Sequence, residues 1–178
     1  GGIVSYILDI RGSRIKPKVF LDLYKRYVRV HLEYATPAWS PWQAGDCEIL
    51  EKVQKKAVDM ISGINGSYED KLKLLNLNKL STRRFRADMI ETYKILNNID
   101  KVDSSIWFTR SDPTRPSTRS TVPNPELNLL LPHRRTEIGK NSFSARAVKG
   151  WNSLPREIKT STNLSIFKNK LDRPLTDA

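Results

Sequence analysis

The sequence predicts a mostly α-helical fold, in which a helical bundle is followed by a Pro- and Arg-rich irregular segment with a possible short β-hairpin and by C-terminal helices. Apolar residues recur three and four positions apart through most of the first hundred residues and again near the end. Between them, residues 100–140 hold five prolines, which exclude a long helix. We therefore expect a helical region at 1–99, a basic irregular linker or hairpin at 100–140, and a helical segment at 141–178 that packs back on the first.

The first helices begin and end at recognisable residues. An amphipathic helix over 17–34 gives way to the segment ATPAWSPW, which should be extended because residues that precede Pro avoid the helical region. Asp46 is the expected N-cap of the next helix. The apolar stripe of that helix comprises Ile49, Leu50, Val53, Ala57, Met60 and Ile61.

Two further helix starts carry polar residues of interest. Ser67 and Asp70 have the spacing of a capping box. Ser81 should begin a long helix whose buried line is Phe85, Met89, Tyr93 and Leu96. The opening turns of that helix carry Arg83, Arg84 and Arg86, and cations there oppose the helix dipole. An anion from outside would explain them, and a solvated face is the alternative.

The later part of the chain mixes short strands and helices. LNLLLP and RRTEIG can form two short strands that meet near Pro132 and His133, with disorder of this segment as the competing interpretation. Asn163 is the expected cap of the last helix. The residues expected to face the core are Phe143, Ala147 and Trp151 in one helix, and Ile166, Phe167 and Leu171 in the last.

The charge of the chain points to a polyanionic partner. Its 31 Lys and Arg against 19 Asp and Glu give a net charge of +12, which attracts phosphate backbones and anionic membrane surfaces alike. No apolar stretch is long enough to span a bilayer, and the start lacks a secretory signal and an initiator Met, which suggests a piece of a larger protein. Cys47 is the single cysteine, so a reducing compartment fits best.

Catalytic patterns are missing from the sequence. Two-metal polymerases and nucleases need clustered carboxylates, and the nearest candidates, Glu69 and Asp70, belong to a helix start. One Cys with His31 and His133 cannot build a four-ligand zinc site. We therefore expect no catalytic residue, no metal site and no cofactor on this chain.

The clearest functional signal in the sequence is its basic residues. Residues 101–150 contain nine Lys or Arg and only four Asp or Glu. Such residues suit the backbone of nucleic acids. Trp39, Trp42 and Trp107 can stack on bases, although Trp is more often a core or interface anchor. The expected nucleic-acid contacts are Arg83, Arg84, Arg86, Arg110, Arg115, Arg119, Arg134, Arg135, Lys140 and Arg146.

Five blocks of the sequence carry a family resemblance: LYKRYVRVHLEYATPAWSPW, LEKVQKKAVDMISGI, RRFRADMIETYKIL, FSARAVKGWNSLP and FKNKLD. In order and spacing, across nearly the whole chain, they resemble the region after the palm in reverse transcriptases of non-LTR (LINE-type, jockey-like) retrotransposons. One departure is Val30, where the family usually has Pro. The resemblance implies that residues 1–99 correspond to the polymerase thumb, whose helices grip the template and primer.

The resemblance also implies what this chain lacks. The catalytic aspartates of the family belong to the palm, upstream of Gly1, so the parent would be an Mg²⁺-dependent RNA-directed DNA polymerase and this chain a non-catalytic part of it. Its partners would be an RNA and DNA hybrid and the palm, with no membrane, inside the cell and for the parent element in the nucleus. The alternatives are a structural packing segment of the polymerase, marked by an exposed apolar patch, and a domesticated nucleic-acid-binding module.

Overall fold

A computed structural model describes residues 16–61, 63–111 and 125–176 of the chain. This part is mostly helical with a two-stranded antiparallel sheet, which confirms the expected fold class. A π-helix at Tyr24–Val28 joins the first two helices, and a 3-10 turn lies at Pro125–Leu127. The strands are β1 (Thr109–Arg110) and β2 (Leu129–Leu130). The α-helices are α1 (Pro17–Leu23), α2 (Arg29–Glu33), α3 (Thr36–Trp39), α4 (Ala44–Asp59), α5 (Tyr68–Leu74), α6 (Leu80–Leu96), α7 (Ser104–Trp107), α8 (Glu137–Lys140), α9 (Phe143–Ser153), α10 (Arg156–Lys159) and α11 (Leu164–Thr176).

Contacts within the chain divide it into two compact units, Gly1–Arg84 and Phe85–Ala178. The division falls inside α6, so it does not coincide with the boundary at residue 99 that the sequence suggests. In the described ranges no helix is both long enough and apolar enough to cross a bilayer.

In the first unit, Phe20, Tyr24 and Val28 are buried in one apolar cluster with residues of α4. An α-helix has 3.6 residues per turn, so side chains four apart drift around its axis. The π-helix has a wider turn, with bonds from each residue to the fifth. It therefore keeps these three side chains, each four positions from the next, on the side that faces the cluster.

Three local predictions in this unit differ from the structure. The segment after the first helices is not fully extended, because Pro37 lies in the first turn of α3, where its missing N–H costs no helical bond. The N-cap of α4 is Gln43, and Asp46 lies in the first turn. Ile49 of the predicted apolar stripe is 60% exposed, whereas Ala57 and Ile61 of the same stripe are buried as expected.

Polar contacts fix α4 against its neighbours in the same unit. The fully buried Gln54 accepts a hydrogen bond from the Tyr24 hydroxyl (2.9 Å) and donates to the Asn78 carbonyl (3.1 Å). Burial raises the pKa of the Tyr24 phenol, which keeps that donor protonated. The predicted capping box of α5 is confirmed, since Ser67 and Asp70 bond reciprocally.

The second unit has its own core. Tyr93 of α6 stacks on Phe167 of α11, with ring centroids 4.3 Å apart, and Trp151 of α9 lies on the same ring at 6.1 Å. The expected buried lines of α6 and α9 are confirmed. Asn163 caps α11 by accepting the Ile166 N–H (2.8 Å), as predicted, although the Ile166 side chain is 38% exposed rather than inward.

The strand predicted in LNLLLP is confirmed as β2, but its expected partner is wrong. β2 pairs with β1, in the register Thr109 to Leu130. RRTEIG instead forms the start of α8, because Thr136 accepts the Gly139 N–H and so caps a helix. On the edge of β2 away from β1, the Leu129 backbone N–H donates to Asn152 Oδ1 (2.9 Å) and the Leu129 carbonyl accepts from Asn152 Nδ2 (2.8 Å).

Gly150 allows α9 to approach α6 closely. A Cβ at this position would lie 2.7 Å from Met89 Cε and 2.8 Å from Phe85 Cε2, which is overpacked. We expect Gly150→Ala to lower the free energy of unfolding by about 1–2 kcal/mol in urea denaturation, despite the better helix propensity of Ala. Gly45→Ala in α4 is the control, because no atom lies within 4 Å of its Cβ. Equal effects of the two changes would contradict this packing.

Candidate nucleic-acid interface

Three segments of the Phe85–Ala178 unit border an open cleft of about 380 Å³. They are the irregular segment 131–134, the short helix α8 and the longer helix α9. The volume is that of a site for a small organic group. Its described lining consists of Leu131, Pro132, His133, Arg134, Lys140, Ala145 and Lys149.

The polar lining of this cleft is basic. Arg134, Lys140 and Lys149 are exposed to solvent, and none of the described lining residues is acidic. The Lys140 ammonium contacts the Glu137 carboxylate at 2.5 Å, and both side chains are largely exposed. Exposed pairs of this kind contribute little to stability, so Lys140 can turn to another anion at small cost. The cleft therefore favours an anionic ligand.

Local sequence explains how these cations are placed. Gly139 carries no side chain where a Cβ would lie 3.2 Å from Arg134 Cβ and 3.0 Å from Thr136 Oγ1. The stem of Arg134 can therefore lie against α8. On α9, Ala145 is buried, whereas Lys149, one turn later, reaches solvent at the cleft.

The cleft brings together two of the predicted contact residues, Arg134 and Lys140. Arg135 is exposed beside them but does not line the cleft. Lys149 and His133 were missed by the sequence analysis. Helical spacing places Lys149 on the same face as Ala145, four residues earlier. Nothing in the sequence indicates that this face borders a cleft.

The three arginines near the start of α6 contact carboxylates of the chain or are buried. Arg83 bonds to both oxygens of Glu33, and its Nη2 to Oε2 distance is 2.7 Å. Arg86 bonds to both oxygens of Asp172, at 2.5 and 2.9 Å. Arg84 is 5% exposed, and among the described residues its buried Nη1 has no hydrogen-bond partner. Arg83 and Arg86 therefore each form a two-point ion pair within the chain.

A carboxylate of the first unit contacts the N-terminus of α6. Glu51 of α4 accepts the Leu80 N–H at 3.0 Å and the Tyr68 hydroxyl at 2.6 Å. A carboxylate at a helix N-terminus offsets the positive end of the dipole. Glu33, which pairs with Arg83, adds a second negative charge in the same unit. The N-terminus of α6 and the Arg83 guanidinium thus each have a carboxylate partner within the first unit.

Arg146 also has an internal partner. From α9 it donates to both oxygens of the buried Asp88, at 2.7 and 3.2 Å, and Nη1 reaches the Asn141 carbonyl at 3.2 Å. Asp88 is 5% exposed. This bidentate pair joins α6 and α9, so Arg146 is placed as a structural residue.

Arg110 lies elsewhere in the second unit, exposed on β1 beside a second, smaller cleft that Lys159 and Glu126 also line. Lys159 donates to the Asn128 side chain (2.8 Å) and the Asn152 carbonyl (3.2 Å). Burial lowers the pKa of its ammonium group. The remaining predicted contacts, Arg115 and Arg119, lie outside the described residues.

The three candidate stacking tryptophans are each partly exposed. Trp107 packs edge-on against Phe143, with centroids 5.8 Å apart, which favours the anchor role. The Trp39 indole N–H donates to the Tyr34 carbonyl. Trp42 is 43% exposed. None of the three lines the basic cleft.

Within the described ranges, no group of three His, Cys, Asp or Glu residues is arranged to hold a metal ion. Comparison with known proteins found no matching family model, no matching curated protein and no matching solved structure.

Proposed function

We propose that this chain is a non-catalytic nucleic-acid-binding segment of a retrotransposon RNA-directed DNA polymerase, and that it holds the backbone of the template and primer. The observation that carries the proposal is the basic cleft of the second unit, where three exposed cations converge and the described lining holds no acid. The family resemblance of the five sequence blocks supplies the polymerase context, including an upstream palm that performs the chemistry with Mg²⁺ in the nucleus.

Binding through such a cleft depends on charge. Lys and Arg that contact phosphates release condensed counterions, so affinity falls with salt concentration. Phosphate contacts position a protein on a duplex without reading its sequence. The base sequence of the hybrid should therefore have no effect on the affinity, which should depend on the shape and charge of the backbone.

The test is a titration of the purified chain with an RNA and DNA hybrid at several salt concentrations. If the three cleft cations contact phosphates, the logarithm of the association constant should fall against the logarithm of salt with a slope of about −3 or steeper. A hybrid of scrambled sequence is the control and should bind equally well. A chain that binds neither hybrid at low salt would refute the proposal.

A second candidate function is the structural packing segment, because the first unit carries the exposed apolar surface expected for it. Tyr27, Val30 and Tyr34 follow one another at helical spacing and are 51%, 51% and 74% exposed. Exposed apolar side chains that form a contiguous patch are typical of interaction sites. On this alternative the first unit contacts another part of the polymerase, and affinity for the hybrid would be absent even at low salt.

A further inference from the structure

The basic cleft also has an apolar floor. Leu131 and Pro132 line it from the segment 131–134, whereas Ala145 of α9 borders it but is buried. Leu131 is 55% exposed, although it directly follows the paired strand β2. A ligand that offered only phosphate groups would contact the cations and leave this apolar surface in water. The lining therefore fits a ligand that joins a phosphate to an apolar face.

A nucleotide joins these two properties, because each base has a flat face of low polarity and each phosphate carries a negative charge. In a duplex the faces are covered by stacked neighbours and the edges are paired. A paired base in a duplex can therefore enter a protein pocket only after it leaves the stack. An unpaired base is under no such constraint, and a cleft of about 380 Å³ is large enough to receive one.

We propose that the cleft takes one unpaired base of a nucleic-acid strand against Leu131 and Pro132, while the cations hold the phosphates on either side of it. The cations belong to different parts of the chain, Arg134 to the segment 131–134, Lys140 to α8 and Lys149 to α9. Flanking phosphates are a property of a continuous strand and not of a free mononucleotide. This inference rests on the proposed function, and it names the single-stranded extension of a template as the part that the cleft binds.

The experiment compares three hybrids of the same length at fixed salt. One is blunt, one carries a four-nucleotide single-stranded extension, and one carries the same extension with abasic residues. The last two have identical phosphates, so only a contact with the base separates them. We expect the abasic extension to bind about 10-fold more weakly than the normal extension. Equal affinity for these two overturns the inference, and binding of the blunt hybrid then still supports the proposed function.

A variant of the floor tests the location. Leu131→Ser should remove most of the difference between normal and abasic extensions, because the apolar contact with the base is lost and no charge is altered. Leu74→Ser is the matched control, since Leu74 is an exposed leucine of the other unit. A normal difference in Leu131→Ser would place the base elsewhere and overturn the inference.

Two further arms distinguish the sources of the base. RNA and DNA extensions are compared directly. The inference is supported if removal of the bases weakens the binding of either extension. A mononucleotide at millimolar concentration is added as a competitor. Equal affinities of the mononucleotide and the extended hybrid, read from the concentration that gives half displacement, would overturn it, because the flanking phosphates would then contribute nothing to the affinity.

Discussion

Replacing Arg146 by Ala is expected to lower the free energy of unfolding of the second unit by about 3 kcal/mol. The change removes both hydrogen bonds that the guanidinium donates to Asp88, whose carboxylate is almost completely buried. A charge left with less compensation in a buried position is costly, and this is why breaking one side of such a pair destabilises more than the pair itself contributes. Urea denaturation, with hydrogen exchange of the α6 and α9 amides, measures the loss and locates it.

Lys149→Ala is the matched control on the same helix. Lys149 follows Arg146 by three residues and is exposed, so its removal should change the free energy of unfolding by no more than about 0.5 kcal/mol. Similar stability of the two variants would mean that the bidentate pair does not hold α9 on α6. Arg146, which the sequence suggests as a nucleic-acid contact, would then be open to that role.

Replacing Arg134, Lys140 and Lys149 together by Ala should weaken binding of the hybrid about 100-fold at 0.1 M salt. Three phosphate contacts are lost, so the slope of affinity against salt should become shallower by about 2 to 3. All three side chains are exposed, which should leave the fold intact. Circular dichroism and the urea midpoint check the fold, and fluorescence anisotropy of a labelled hybrid measures the affinity.

A control of equal charge separates the cleft from the general field of the protein. Lys55, Lys56 and Lys73 are exposed in the first unit, and their combined replacement by Ala removes the same formal charge. We expect a loss of affinity of about 3-fold or less, because only the long-range attraction is reduced. Equal losses in the two triple variants would mean that binding is diffuse and that the cleft is not the site.

Features that depend on local spacing could be predicted from the sequence. The capping box at Ser67 and Asp70, the buried line of α6 and the cap at Asn163 involve residues three or four apart, where helix geometry fixes the contact. The strand β2 was likewise identified, but two-residue strands have no pattern that specifies a partner. For that reason the sequence does not indicate β1, and RRTEIG, which it suggests as the partner of β2, is the wrong segment.

Contacts between residues far apart in the chain could not be predicted in the same way. Arg83 and Glu33 are 50 residues apart, Arg146 and Asp88 are 58 apart, and Arg86 and Asp172 are 86 apart. Periodicity gives the face on which an arginine lies and does not give the element that covers this face. The composition identifies a basic protein, but only the packed chain shows which arginines pair with carboxylates of the fold and which cations line the cleft.

The side-chain amide of Asn152 has a consequence for association between chains. An open strand edge displays a backbone donor and acceptor that invite another extended peptide to add to the sheet. At Leu129 both groups are already engaged by Asn152 in the manner of a neighbouring strand. A foreign peptide would first have to displace this amide, so the short sheet is protected at this residue against unwanted polymerisation.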